Sequence, residues 1–340
     1  MKVPFVSIVC PVYNEESFIS RCIDSLIAQN YPNDLQEIYF VDGMSTDHTR
    51  HIIQEYCQKY SNIHLLDNPN KIVPPALNLG IRASKGEVVI RVDGHCFYPY
   101  NYISTLVYYL YELNADNVGA VWNTLPAKET SVCKAIAIGV SHKFGIGNSL
   151  HKTGTSQVVE TDTVPFGCFR RSIFDKIGLF DNDLIRNQDD EFNARIIKSG
   201  GKIYLIPDLK IDYYARGSIG KMAKMFYQYG LFKPLVNKKL GSPATIRQFF
   251  PVSFLLGLIL GALLFCLNKC FAAIYIVVLF LYITTAFTIG LVEARKMKDW
   301  KILFLLPIIF VTIHVSYGWG YLKGIYNILR KHKFNVDVNR

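Results

Sequence analysis

Over the first two thirds of the chain, short apolar runs bounded by turn residues alternate with helical stripes, and long unbroken apolar runs fill the last third. Residues 6–12 (Val-Ser-Ile-Val-Cys-Pro-Val) are too short and too uniformly apolar to be amphipathic, so they predict a strand buried on both faces. Asn14 follows as a helix cap. Residues 15–29 then place Phe18, Cys22, Ile23, Leu26 and Ile27 on one stripe, and Asn30-Tyr31-Pro32-Asn33 ends it. The cycle repeats, with strands at 37–41, 63–66 and 87–92 and helices at 47–60 and 74–83. This alternation predicts an α/β fold: a mostly parallel central sheet with helices on both faces and right-handed crossovers. Beyond Asp93 the pattern loosens into a helix at 101–113 and a strand at 118–122. Residues 126–154, rich in Gly, Ser, Thr and Lys, predict a mobile loop covering a substrate. Further strand and helix signals fall at 158–169, 173–177, 189–198 and 202–206.

The apolar runs at about 249–267, 271–292 and 302–322 hold no Asp, Glu, Lys or Arg except Lys269 between the first two. Each is long enough for a helix across a hydrocarbon core of about 30 Å. The chain therefore divides into a soluble region, 1–235, and a membrane region, 236–340, with two or three transmembrane helices. Residues 5–12 lack the flanks of a cleavable signal peptide, which predicts a cytoplasmic soluble domain. Lys233, Lys238, Lys239 and Arg247 before the first run, and Arg295, Lys296, Lys298 and Lys301 after the second, then lie on the cytoplasmic side as a hairpin requires. A third crossing would put Lys323, Arg330, Lys331 and Lys333 outside, against that rule. Either the third run is re-entrant or interfacial, or a further element is hidden in the tail.

The 340 residues carry a net charge of +10, which fits a surface meeting anionic lipid and phosphate-bearing ligands. Zinc-finger spacing, a basic helix and aromatic RNA-binding signatures are missing, so nucleic acid is not an expected partner. The eight cysteines, Cys266 among them, are scattered without a Cys-x-x-Cys pair, which predicts a reducing compartment and no structural zinc.

Three polar clusters fall where a parallel sheet binds ligands, at the carboxyl ends of its strands or at a helix start. Asp93-Gly94-His95 follows an apolar strand. A carboxylate and an imidazole two residues apart on extended chain point to one side and can reach one metal-phosphate unit, although an Asp-Gly turn also explains them. Asp42, followed by Gly43, Ser45 and Asp47, can accept from a base edge or ribose hydroxyl or serve as a plain cap. Asn187-Gln188-Asp189-Asp190-Glu191 packs three carboxylates at a helix start, which suits the helix dipole. It also suits a general base with a raised pKa.

In this order the clusters resemble the metal-dependent inverting glycosyltransferases of family 2, with the fold called GT-A. The matching segments are Pro11-Val12-Tyr13-Asn14-Glu15, Val41-Asp42-Gly43-x-Ser45-x-Asp47-x-Thr49, Arg91-Val92-Asp93-Gly94-His95 and Asn187-Gln188-Asp189-Asp190-Glu191. The resemblance implies a nucleotide-sugar pocket lined by Pro11, Tyr13, Glu15, Asp42 and Asp93. It implies a divalent metal, Mn or Mg, at Asp93 and His95, with His95 standing where the family usually has a second Asp. It also implies a catalytic base at Asp189, with Asp190 as the alternative. Phe226-Tyr227-Gln228-Tyr229-Gly230-Leu231-Phe232-Lys233 is similar to the Gln-x-x-Arg-Trp helix of processive polysaccharide synthases. Gln228 matches, while Leu231 and Phe232 replace Arg and Trp, which implies single-sugar transfer. Val164-Pro165-Phe166-Gly167-Cys168-Phe169-Arg170-Arg171 resembles the acceptor side of bacterial exopolysaccharide transferases of the succinoglycan type. There Arg170, Arg171, Gln228 and Phe232 would serve a lipid-linked glycan acceptor at the plasma membrane. A processive synthase and a non-catalytic membrane scaffold are the competing readings.

Overall fold

The computed structural model describes residues 3–265 and 267–334; Cys266 in the first apolar run and the last six residues of the tail lie outside them. The strands are β1 (Val6–Val12), β2 (Gln36–Asp42), β3 (Ile63–Asp67), β4 (Val88–Arg91), β5 (Asn117–Leu125), β6 (Val159–Glu160), β7 (Cys168–Arg170) and β8 (Ile203–Tyr214). They form one mixed sheet in the order β3-β2-β1-β4-β7-β5-β8-β6. β1 pairs in parallel with β2 and β4, and β2 with β3, while β7 runs antiparallel to β4 and β5. The predicted α/β sheet is present, parallel in its first half.

Helices α1 (Ile19–Ile27), α2 (Thr49–Lys59), α3 (Val73–Ala83) and α4 (Tyr102–Glu112) connect and cover these strands. α1 buries Ile19, Cys22, Ile23 and Leu26, each worth about 1.5–3 kcal/mol relative to exposure for the larger side chains. α3 can lie close on the sheet because Gly80 has no side chain. A Cβ there would strike Val9 of β1.

The described residues form two compact units, one of residues 3–123 and 154–212, the other of residues 124–153 and 213–334. The second holds α5 (Ser131–Gly139), α6 (Lys143–Ile146), α7 (Leu150–Thr153), α10 (Ile219–Leu240), α11 (Phe249–Phe265), α12 (Lys269–Met297) and α13 (Lys301–Leu329). α8 (Ser172–Ile177) and α9 (Gln188–Lys198) belong to the first. The expected division at residue 235 thus shifts, because the apolar helices recruit α10 and 124–153.

The expectation of a mobile loop at 126–154 fails for a physical reason. Cys133, Ala135, Ile136 and Ala137 give α5 a buried apolar face, and α5 packs on α13. Among the described residues three helical stretches are long and apolar enough to cross a membrane: Ile246–Phe265, Lys269–Met297 and Lys301–Leu329. α13 is continuous through Pro307, Gly318 and Gly320.

Candidate active site

The parallel half of the sheet brings three of the predicted clusters to one edge. Val12 pairs with Asp42, and Asp42 with Asp67, so the ends of β1, β2 and β3 are level. β4 leaves the ladder after Arg91 pairs with Val9, and Val92 N–H still donates to Val9 O at 3.0 Å. Pro11 sits beyond that point, where its missing N–H costs no bond to β4.

The loops after β1 and β2 are fastened together. Asn14 takes a left-handed conformation, φ 54°, and its N–H donates to Ser45 Oγ at 2.9 Å. Thr46 N–H donates to Asn14 Oδ1 at 2.8 Å, and Glu15 N–H to Thr49 Oγ1 at 2.7 Å. Asp42 is fully buried and accepts from Ser45 Oγ at 2.5 Å and from Arg50 Nη1 at 3.4 Å; Arg50 also reaches Asp67 at 2.6 Å. Tyr13 packs over Gly43, whose N–H donates to Val12 O. Tyr13, Glu15 and Asp42 are thereby gathered as predicted, on a framework that includes Pro11.

The loop after β4 meets them. His95 Nδ1 lies 3.4 Å from Glu15 Oε1. Gly94 permits this approach, since a Cβ at that position would lie 2.9 Å from Val12 Cγ1. Tyr98 closes the loop on itself: Asp93 N–H donates to Tyr98 Oη at 2.8 Å, and Tyr98 O–H donates back to Asp93 O at 3.2 Å.

The fourth cluster arrives from residues 96 or more positions later. Asn187, at φ 62°, turns the chain into α9, and the three carboxylates then separate by partner. Glu191 forms a bidentate pair with Arg195 at 2.7 and 2.9 Å, and Asp190 accepts from Thr163 Oγ1 at 3.2 Å. Asp189 meets Arg91, whose other terminal nitrogen reaches Asp93 Oδ1 at 3.3 Å. Arg91 is buried, its side chain 6% exposed. Burial opposes its charge, but Asp189 and Asp93 raise its pKa further, so it is a fixed cation. Burial pushes the Asp189 carboxyl above its ordinary range; Arg91 pulls the other way and only limits the rise.

Arg91 is the member of this site that sequence reasoning left without a role. Its signal is a single charge ending the apolar strand Val88-Val89-Ile90. Tyr98 had no comparable signal.

The acceptor residues fare differently. β7 runs antiparallel to β4, with Arg170 opposite Val88 at the amino end of β4 and hence at the edge away from Asp93. Arg170 donates to Ala115 O at 2.7 Å, Leu110 O at 3.0 Å and Asn114 Oδ1 at 3.2 Å. Arg171 donates to Gly86 O, to Ile81 O at 3.2 Å and to Ser84 Oγ at 2.7 Å. Both guanidinium groups hold chain turns at the amino end of β4. In the second unit, Gln228 and Phe232 are buried within α10, and the Phe232 ring packs 5.6 Å from Phe334.

Among the described residues no group of three His, Cys, Asp or Glu side chains could hold a cation alone. The donor chemistry at Asp93 and His95, one carboxylate oxygen and one imidazole nitrogen, nevertheless fits a Mn-like ion completing its shell from phosphate oxygens and water.

The acidic cluster lies at the carboxyl ends of the parallel strands, the place where open α/β sheets bind ligands. Residues 7–178 match glycosyl transferase family 2, half of the chain, and the chain belongs to that family. It is 28% identical over 332 residues to a dolichyl N-acetyl-alpha-D-glucosaminyl phosphate 3-beta-D-2,3-diacetamido-2,3-dideoxy-beta-D-glucuronosyltransferase of Methanococcus voltae, covering 94% of this chain and 97% of that one. It is 28% identical over 263 residues to succinoglycan biosynthesis protein ExoA of Rhizobium meliloti, covering 77% and 78%. The fold is similar to mannosyltransferase PcManGT from Pyrobaculum calidifontis, solved in complex with GDP-Man and Mn2+, at a TM-score of 0.62 and 18% identity over 95% of this chain and 88% of that one. The protein is a glycosyltransferase.

Proposed function

We propose that this enzyme moves one sugar, with inversion, from a nucleotide-sugar donor to a lipid-linked glycan during cell-surface polysaccharide synthesis, working on the cytoplasmic face of the plasma membrane. The observation that carries the reading is Arg91 joining Asp93, on the donor edge, to Asp189 at the helix start. The similarities to a dolichyl-phosphate sugar transferase and to a succinoglycan protein support the acceptor class.

Asp189 is the base. Its raised pKa suits removal of a hydroxyl proton as the acceptor oxygen attacks the anomeric carbon. Asp190 is held by Thr163 and serves α9 instead. Tyr13, Glu15 and Asp42, set by the fastened loops, face the nucleotide. Asp93 and His95 would hold a divalent cation, Mn by preference for the imidazole, which when bound neutralises the leaving diphosphate. Arg91 keeps Asp189 oriented. Leu231 and Phe232, in place of the Arg and Trp of processive synthases, favour addition of a single sugar.

The test is Asp189→Asn in the full-length protein. Transfer from the UDP-, GDP- or dTDP-sugar that gives donor-dependent thermal stabilisation should fall by at least about three orders of magnitude, a loss of a general base with its proton acceptance. The stabilisation itself should persist. Near-normal transfer by the variant would remove Asp189 from the mechanism.

A further inference from the structure

The conflict between a third crossing and the charge of the tail is resolved by what α13 touches. α5 and α10 both precede the first apolar helix that could span, so no crossing separates them among the described residues. They stand on one side of the bilayer. α13 packs on α5 and α6 through its first half, where Ile309 closes on Gly139 and Phe310 meets Phe144 edge-on at 5.0 Å. Through its second half it packs on α10. Gly320 meets the Tyr227 backbone, Gly324 meets Leu231, and the Tyr321 hydroxyl accepts from Asn237 Nδ2 at 3.1 Å.

Ile309 and Gly324 are about 22 Å apart along the helix at 1.5 Å per residue. If α13 stood upright as a crossing, α10, which packs alongside it from Ile309 and Ile313 to Gly324, would stand upright with it. That would carry Lys224, Lys233, Lys238 and Lys239 into or through the apolar layer, where each charge is expensive.

The exposed side of α13 is equally specific. Phe304, Ile308, Val311, Trp319, Tyr326 and Leu329 are exposed, and at 100° per residue they fall within one narrow stripe. Ile302, Leu306, Ile309, Ile313, Gly320 and Gly324 are buried on the opposite stripe. An apolar face thus runs the whole helix length, opposite the face packed on α5 and α10, with charged groups near both ends, and it is open to lipid.

Charge supplies the partner. The unit holding α13 has 20 Lys and Arg against 3 Asp and Glu, net +17, whereas the sheet unit has 15 against 23, net −8. The whole excess of positive charge thus belongs to the unit with the apolar helices. We propose that only α11 and α12 cross the bilayer, that α13 lies in the leaflet on the side of α10, and that Lys323, Arg330, Lys331 and Lys333 bind anionic phospholipid headgroups there. This goes beyond the transferase reading and does not depend on it, since transfer could proceed with either topology.

The test uses the full-length protein in native membranes with a membrane-impermeant maleimide. Cys270, exposed at the α11–α12 turn, is the natural marker for the far side. Lys238→Cys and Lys333→Cys are made separately in a Cys57→Ser, Cys270→Ser background. Position 333 should label from the side that labels 238 and opposite to Cys270. Labelling of 333 from the Cys270 side overturns the proposal, and so does protection of 333 from both sides when it reacts after denaturation. In nanodiscs at low salt, replacing phosphatidylcholine partly with phosphatidylglycerol should raise the apparent melting midpoint by roughly 5 °C. Salt should erase the rise, and the combined Arg330→Gln, Lys331→Gln, Lys333→Gln variant should show little of it. An equal midpoint in both lipids overturns the headgroup assignment.

Discussion

Removing the Arg91 side chain is the sharpest probe of the catalytic edge. Arg91→Met keeps the volume and takes away the one cation seen touching both Asp93 and Asp189. Asp189 already has a raised pKa because burial outweighs Arg91, so without Arg91 it must climb further. A base works only when deprotonated. The acid limb of the pH–rate profile should therefore move to higher pH, and the loss should shrink as pH rises. A charge-assisted hydrogen bond is worth about 1.5–3 kcal/mol, a factor of roughly 10 to 100 in the ionised fraction below that limb. Leaving two buried carboxylates without their partner also costs stability, about 3–5 kcal/mol for a fully buried pair and less here because the Asp189 side chain is 28% exposed. The assay is single-turnover transfer from the stabilising donor between pH 5 and 9, with melting followed alongside. Arg91→Lys restores the charge and should return the limb most of the way. A limb that stays in place in Arg91→Met, with turnover reduced equally at every pH, would mean that Arg91 only supports the fold, and the link between the two carboxylates would have no catalytic meaning.

The donor loop offers two further tests. Tyr98→Phe removes the hydroxyl that joins Asp93 N–H to Asp93 O; it should cost about 1–3 kcal/mol for the buried groups left without partners and weaken donor-dependent thermal stabilisation. Gly94→Ala places a Cβ 2.9 Å from Val12 Cγ1 and should lower stability by about 1–3 kcal/mol in urea unfolding while raising the donor concentration needed for half-maximal transfer. In contrast, Arg170→Gln should lower the melting temperature by loosening the 110–115 turn yet leave KM for the acceptor unchanged, since its guanidinium holds Leu110 and Ala115 carbonyls.

β1, β2 and β4 were legible because each is a short run buried on both faces, and they fall within a residue or two of their predicted ranges. The polar residues that end those runs had to share an edge once the sheet was parallel, so Tyr13, Glu15, Asp42 and Asp93 could be placed together. What could not be read was the direction of β7. A parallel continuation would have put Arg170 and Arg171 at the ligand edge; insertion of β7 antiparallel between β4 and β5 sends them to the other end. The pairing of Arg91 with Asp189 spans 98 positions and depends on that same antiparallel insertion, which no local pattern encodes. Residues 126–154 misled because their Gly and Ser content resembles a loop, whereas the apolar face of α5 has meaning only once α13 is present to cover it.

The charges at the site constrain how an anionic donor can be held. Asp42 is engaged by Arg50 and Ser45, Asp189 by Arg91, and Glu15 stands beside His95. The sheet unit is net negative overall. A nucleotide diphosphate approaching this edge brings further negative charge to carboxylates whose visible cations are already committed to them. Repulsion between such groups is several kcal/mol at close range in a partly buried site. A divalent cation arriving with the phosphates, at the carboxylate and imidazole proposed above for it, Asp93 and His95, would offset that field. Asp93→Asn should then ease the repulsion while removing a ligand, so donor stabilisation without Mn should change little and the increment gained on adding Mn should fall. Equal Mn increments in the two proteins would remove Asp93 from any cation site.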